Sequence, residues 1–560
     1  MISEDSWKVA DGLILETNAL LAVRELGNSL ALTAGPGAGK TEVLAQRADF
    51  LLRTGNCRYP RRILAISFKV DASKNLKERI RRRCGLDLAA RFDSYTFHGF
   101  AKRIIDRFRP VLTGKDSLEP NYSVGNEQIP GKQIKFAQLI PLATKILSDS
   151  KTARNAICQT YADVFLDEFQ DCTTEQYTLL KLVFMNKPIR LTAVGDTKQK
   201  IMGWAGALDG IFIEYAKDFG ARPLNLYRNF RSKPRLLRMQ NEIIRTLDPA
   251  AVMADDLIIG NEGELFARNY DTSHSEAVAL ATLIEQWIDV EKIPLHEIAI
   301  LFPRQIDLYG APLMEELAAR GIPYRNEHES QDLVNEPAAR LIIDYLSCLY
   351  RERVPKAWIS LMEQLVSFND EEGESELQRS FERLYLAHLK EVKKSSRSDT
   401  PYKGWWDLTM TFLKNVGLPV LATLSSDYEA KARLNEVIKN TRQQLEKLLE
   451  QEPDLLKALD LFSNDQAVRF LTIHKSKGLE FHSVIMIGVE TQTFWGKVQE
   501  ERCGFFVGVS RAKERLLITT CDLRHRPASN PPRWNEHRTP HAEFVTYITP
   551  FLSASQMPDR

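Results

Sequence analysis

Residues 30–43, LALTAGPGAGKTEV, set an apolar run, a Gly/Pro-rich turn and a Lys-Thr pair in the order that suits a polyphosphate. The small, tightly turning residues Ala34, Gly35, Pro36, Gly37, Ala38 and Gly39 let the backbone N–H groups from Gly37 onward face one anion. A helix opening at Lys40 aims its positive end at the same point. Lys40 can reach the outer phosphates, and the Thr41 hydroxyl suits Mg²⁺. The strict phosphate-loop pattern has Gly where this chain has Ala34, so the match is to the Ala-tolerant form. The plainer alternative is a turn joining a strand to a helix. A second cluster, Asp167-Glu168-Phe169-Gln170-Asp171, follows an apolar run at 162–166. Carboxylates at the end of a strand, downstream of a phosphate cradle, suit a metal held by Asp167 and an attacking water oriented and deprotonated by Glu168. An exposed acidic turn is the alternative.

The elements that must position these groups are legible as apolar runs. Strands are expected at 30–33, 63–68, 162–166 and 190–194, with helices at 18–26, from 40 through 50, and at 71–83. The helix at 71–83 is basic: Lys69, Lys74, Lys77, Arg79, Arg81, Arg82 and Arg83 stand against Asp71 and Glu78, which suits a phosphodiester backbone or simply a solvated face. In 94–100 aromatic residues interleave with His98 ahead of Lys102, Arg103, Arg107 and Arg109, a pattern for stacking on bases or for core packing. Residues 109–150 carry turn signals and no nameable chemistry. A chain of 560 residues exceeds one ordinary core, so two to four domains are expected. Lys and Arg (75) nearly cancel Asp and Glu (74), so nucleic-acid contact must come from local patches. Seven cysteines without a C-x-x-C pair, no signal-like start and no apolar run near the ~18 residues of a membrane span point to a cytoplasmic protein away from membranes.

With GDTKQKIMGWAGA at 195–207 the chain resembles the superfamily 1A DNA helicases of the UvrD/Rep/PcrA type. Their motifs occur in order: AGPGAGKT, ISFKVDASKNLKERI, TFHGF, DEFQD, GDTKQKIMGWAGA, LYRNFRS, IAILF with GIPY, LTIHKSKGLEF and VGVSRAKERL. The resemblance implies an α/β fold of two RecA-like parallel-sheet motor domains, each interrupted by a mainly helical insertion. The expected boundaries are 1–100 with 162–214 for motor domain 1A and 101–161 for insertion 1B. Motor domain 2A takes 215–350 with 465–550, and insertion 2B takes 351–464. It also implies ATP with Mg²⁺, Gln199 sensing the γ-phosphate, and Arg231 and Arg511 as cations supplied to the phosphoryl group. Phe230 would stack near adenine and Glu480 would meet the ribose. Phe68, His98 and Trp204 would stack on bases, while Thr472 and His474 would touch the strand backbone.

Several positions depart from the family pattern. The N-terminal glutamine that reads adenine has only Asn18 nearby, Val70-Asp71 replaces the usual Asn-Lys, and Met202 and Ala205 replace a tyrosine and an arginine. Both insertions look short. The expected function is an ATP-dependent translocase or helicase on single-stranded or tailed duplex DNA, moving 3′ to 5′, in DNA repair for example. The alternative is a DNA-stimulated or DNA-end-sensing ATPase acting with a partner nuclease, similar to the Gabija-type antiphage helicase subunit.

Overall fold

The central strands of the two sheets are apolar runs, and the edge strands carry more polar residues. In chain order they are β1 (Leu30–Ala34), β2 (Arg62–Ser67), β3 (Phe92–Thr96), β4 (Ser123–Gly125), β5 (Gln133–Lys135), β6 (Tyr161–Leu166), β7 (Arg190–Gly195) and β8 (Arg222–Leu226). Then come β9 (Glu264–Thr272), β10 (Ile298–Phe302), β11 (Tyr324–Asn326), β12 (Val468–Thr472), β13 (Phe481–Met486) and β14 (Ala512–Leu523). This computed structural model describes residues 1–553 except 68–69, 121, 126–127, 200–209, 327–332, 334–335, 367–370, 396–401, 403, 418–420, 422–423, 425–427, 429–430, 464–466 and 528–533.

The first sheet has the order β3-β2-β6-β7-β1-β8, with parallel neighbours throughout. Helices cover such a sheet on both faces, so its strands are apolar along their length. β6 is buried at every residue, and β2 and β7 at all but their first. Registers Leu32↔Val194 and Leu166↔Ala193 bring the carboxyl ends of β1, β7 and β6 to one edge. The cradle, the acidic pair and residues 196–199 all leave from that edge. The second sheet has the order β11-β12-β10-β13-β14-β9, and β10, β13, β14 and β9 pair in parallel. The two parallel sheets with helical insertions are the RecA-like α/β architecture expected from the sequence.

Residues 1–117, 137–321 and 470–560 form one compact unit, and 118–136 with 322–469 form another. The second is mainly helical. Helix Pro337–Tyr350 is its hub, with Tyr345 stacked on Phe412 at 3.8 Å between ring centroids and its hydroxyl 2.6 Å from His388 Nδ1. This helix shares one core with residues out to Phe462, so the helical unit already includes residues assigned above to the motor domain ending at 350. Likewise β8, placed beyond the 214/215 boundary by the sequence reading, pairs with β1 from Leu30↔Arg222 to Ala34↔Leu226 and edges the first sheet. A run of five residues with two prolonged polar side chains lacks the apolar signature that would have assigned it. No helix among the described residues is long and apolar enough to cross a membrane.

A charge pair ties the middle of the first sheet together. Arg190, opening β7, donates to both oxygens of the wholly buried Asp163 on β6 at 2.7 and 2.8 Å, and also to the carbonyls of Leu26 and Asn56 at 3.3 Å. Removing one partner of such a pair strands the other in a poorly solvated place. Asp163→Ala should therefore cost about 3–5 kcal/mol, read as a clear fall in the first thermal unfolding transition; an unchanged transition would show that the pair is dispensable.

Candidate active site and nucleic-acid surface

The cradle closes β1. Gly37 and Gly39 take φ of 69° and 75°, a left-handed region that glycine enters without steric penalty, and Gly39 caps helix Lys40–Arg53. Ala34, Pro36 and Ala38 are buried beneath the turn, while Gly35, Gly37, Gly39, Lys40 and Thr41 are half-buried at its surface. Lys40 Nζ lies 3.5 Å from the Ala34 carbonyl, folded over the loop it would serve. The Gly37 carbonyl accepts from Phe230 N at 2.9 Å. A Cβ at Gly37 would stand 2.5 Å from Asn229 Oδ1 and 2.6 Å from Arg231 Cβ, so this contact needs glycine for space as well as for φ.

The acidic edge is built around one glutamine. Gln170 donates through Nε2 to Glu168 Oε2 at 2.6 Å and accepts through Oε1 from Asp196 N at 2.9 Å. It thereby joins the loop after β6 to the loop after β7. Gly195 leaves no room for a side chain there, since a Cβ would collide with Gln170 Oε1. Glu168 sits at φ 50°, ψ 39°, unusual for a side-chain-bearing residue, with its N–H donated to Asp167 Oδ1 at 3.0 Å. Burial pushes the Asp167 carboxyl upward and the Glu168 charge adds to this, against the pull of Lys40 and Lys477. Burial opposes the charge on Asp196 too, yet Lys198, 3.0 Å from its Oδ1, and Lys40 hold it below the usual carboxylate range.

Cations from the second sheet meet this edge. Arg511, between helix Val498–Val509 and β14, is fully buried. Its Nη2 donates to Gln199 Oε1 at 3.0 Å and to Ser510 Oγ at 2.8 Å, its Nε to Val507 O at 2.8 Å and its Nη1 to Leu479 O at 3.2 Å. Burial pushes its guanidinium down to about 9; the Arg231 charge acts the same way, while Glu168 and Asp196 oppose it. Lys477, also buried, pairs with Asp171 Oδ2 at 2.5 Å and donates to Gln199 O at 3.0 Å. Arg231 donates to Glu480 Oε2 at 2.8 Å and to Ser510 O at 3.0 Å.

The structure therefore gathers Lys40, Asp167, Glu168, Gln199, Arg231, Glu480 and Arg511 in one neighbourhood, with Phe230, 55% exposed, against the cradle. Gln170, Asp171, Asp196, Lys198 and Lys477 belong to the same network but were not singled out from sequence. They lie inside the quoted motifs, so their signal was position within a motif and not residue type. Asn18 does not stand open as a reader of a base edge: its Nδ2 donates to Asn225 O at 2.7 Å.

On the nucleic-acid side, Phe68 and Trp204, with Met202 and Ala205, lie outside the described residues. His98 is half-buried, and burial lowers its ring from the ordinary range. Phe97 and Phe100 are core residues on either side of it. Thr472 ends β12, its Oγ1 accepting from Lys475 N at 3.3 Å, and His474 is exposed two residues on. Part of the basic helix, observed as Val70–Cys84, turns inward. Arg79 meets Glu42 at 3.1 Å, and Arg83 meets Glu42 at 2.6 Å and Asp11 at 3.2 Å, leaving Arg81 and Arg82 exposed.

A glycine-rich strand-to-helix turn and acidic strand ends on one parallel sheet, with buried cations from a second sheet beside them, belong to a two-sheet α/β protein of RecA-like architecture. Residues 15–128 and 121–220 match the UvrD/REP helicase N-terminal domain, and 224–403 and 420–522 match the UvrD-like helicase C-terminal domain. The chain belongs to the UvrD/REP helicase family. It is 23% identical to the ATP-dependent DNA helicase PcrA of Leuconostoc citreum, with 95% of this chain and 84% of that protein covered. It is 24% identical to DNA helicase II of Escherichia coli K12 (90% and 85% covered) and 24% identical to the ATP-dependent DNA helicase PcrA of Bacillus subtilis 168 (90% and 82%).

The crowding at Gly37 yields a prediction. Gly37→Ala must either distort the loop or push Asn229 and Arg231 away. Affinity for a fluorescent ATP analogue should drop at least about tenfold, since φ > 0 and a close contact are lost together. Wild-type affinity would mean that the loop tolerates a side chain and that the observed approach is unimportant for nucleotide.

Proposed function

We propose that the chain is an ATP-driven DNA translocase or helicase working on single-stranded or tailed duplex DNA, with 3′-to-5′ polarity. The observation that carries this reading is the pair of cross-sheet contacts, Arg511 to Gln199 and Lys477 to Asp171. A motor must make the phosphates of a nucleotide held on one body felt by a second body. Here cations of the second sheet already bond to the strand ends beside the cradle of the first.

In the proposed chemistry, backbone N–H groups of Gly35 and of residues 37–41, with the Lys40 ammonium, hold the phosphates. The donors near the cradle fit Mg²⁺: a buried carboxylate, Asp167, and a hydroxyl in the first turn of a helix, Thr41, are hard oxygen ligands of the kind that complete a site shared with phosphates and water. Mg²⁺, when bound, would neutralise charge on the phosphate oxygens. Glu168, steadied by Gln170, is the base that orients and deprotonates water. Arg231 and Arg511 stabilise charge on the transferring phosphoryl group, a role worth about 10³–10⁵ in rate in arginine-finger enzymes. Gln199, bonded to Arg511 and through its Nε2 to Asp196 Oδ2 at 2.8 Å, links the state of the phosphates to the second sheet. Phe230 offers its exposed face to the base, and Glu480 lies beside Arg231 where a ribose would enter. His98, Thr472 and His474, with Phe68 and Trp204, are assigned to the strand. The four-part division into 1A, 1B, 2A and 2B is retained, with 215–226 moved to 1A and the helical insertion 2B opening before 337.

Two variants test the hydrolytic roles. Lys40→Ala should abolish hydrolysis while the melting profile is kept, and undiminished turnover would sink the cradle. Glu168→Gln should retain ATP binding and lose about 10²–10⁴-fold in kcat, the range of a general base; normal cleavage would remove it from that role. For the whole reading, ATP hydrolysis is compared with and without single-stranded DNA, alongside displacement from 3′-tailed and 5′-tailed duplexes. Stimulation with displacement only from the 3′ tail is expected. Stimulation without displacement would favour a sensor that signals to a partner nuclease, and no stimulation would defeat both.

A further inference from the structure

Residues 487–497 leave the carboxyl end of β13 and lead into helix Val498–Val509, and they present Trp495 with 68% of its surface exposed. Lone surface hydrophobics are ordinary, but this indole is mounted. The Arg304 guanidinium lies 4.0 Å from the ring centroid. Arg304 Nη2 donates at 2.9 Å to Glu501 Oε1, and the same oxygen accepts from Gly496 N at 2.7 Å. The Glu501 side chain is only 13% exposed, so one nearly buried carboxylate fixes both the cation behind the ring and the backbone beside it. A Cβ at Gly496 would collide with that oxygen, so a side chain there would displace the Glu501 carboxylate. One face of the indole is therefore backed by a cation while much of the side chain stays in water.

The position of this mount indicates what it faces. Arg304 follows β10 by two residues, and the Phe302 carbonyl accepts from Ile473 N at 2.9 Å. Ile473 lies between Thr472 and His474, the residues assigned to the strand backbone. The first residue of the 487–497 loop is tied to the same strand end, with Ile487 N donating to Leu301 O at 3.0 Å. Lys497, with 85% of its side chain exposed, adds a cation close by. An aromatic face with arginine behind it, at a sheet edge shared with phosphate-directed residues, is the combination that grips single strands without reading sequence.

We infer that Trp495, seated on Arg304, is a stacking platform for an unpaired nucleobase of the bound strand. The inference rests on the DNA-motor reading above. It adds to the second sheet a ring that the family motifs do not assign.

The test uses the full chain and fluorescence anisotropy with two labelled oligonucleotides of equal length, one of thymidylates and one wholly abasic. Trp495→Ala should weaken binding of the thymidylate strand about 5- to 150-fold, the span of a lost base-stacking contact, and leave abasic binding almost unchanged. Trp495→Phe should recover most of the affinity because it keeps a ring. Equal affinity of Trp495→Ala and the unsubstituted chain for thymidylates overturns the inference alone, as does an equal loss on both strands, which would mark a change of fold or charge. If the unsubstituted chain binds neither strand, the functional reading falls along with it.

Discussion

A guanidinium taken out of water must be given acceptors, and Arg511 finds them on both sheets. Val507, Leu479 and Ser510 satisfy it from the second sheet, and Gln199 satisfies it from the first. Desolvating a charge costs several kcal/mol unless its donors are met. The position of Gln199 against Arg511 is thus enforced by the penalty for leaving it. Lys477 repeats the constraint with Asp171, again buried and again across the two sheets. Separating the sheets at this line exposes two cations and two acceptors together.

The acidic edge is cross-linked by hydrogen bonds. Gln170 holds Glu168 with one end and the start of the 196–199 loop with the other, and Gly195 supplies the clearance this needs. Gln199 then hands the connection to Arg511. A chain of hydrogen bonds runs from the Glu168 carboxylate to the guanidinium of the second sheet. Each member is oriented by the next, so the left-handed backbone at Glu168 is held by its surroundings and not by any local preference.

Much of this was legible in the sequence because phosphate chemistry restricts residue types tightly. The strands at 30–34, 62–67, 161–166 and 190–195 were legible as continuous apolar runs, which buried parallel strands require. Helix Leu139–Asp149 lies in the 109–150 stretch, whose turn signals do not mark it; its Pro141 sits in the first helical turn, which proline tolerates. β8 was assigned to the wrong sheet because a short edge strand carries little apolar signal. Charges were the least legible. The inward half of the basic helix depends on Glu42 and Asp11, and the rings at Phe97 and Phe100 belong to the core, facts set by partners remote in sequence. The platform at Trp495 was invisible for the same reason, since Arg304 lies almost two hundred residues away.

Every strand of the first sheet precedes residue 227 and every strand of the second follows 263, so the chain passes between the sheets in a single crossing. That crossing begins with Asn229, Phe230 and Arg231, which touch the cradle at Gly37, and continues through Ser232, whose hydroxyl donates to Ala512 O at 2.7 Å. The covalent tether between the sheets and the glycine-rich loop therefore share one place, so any shift of residues 229–231 is felt directly at Gly37.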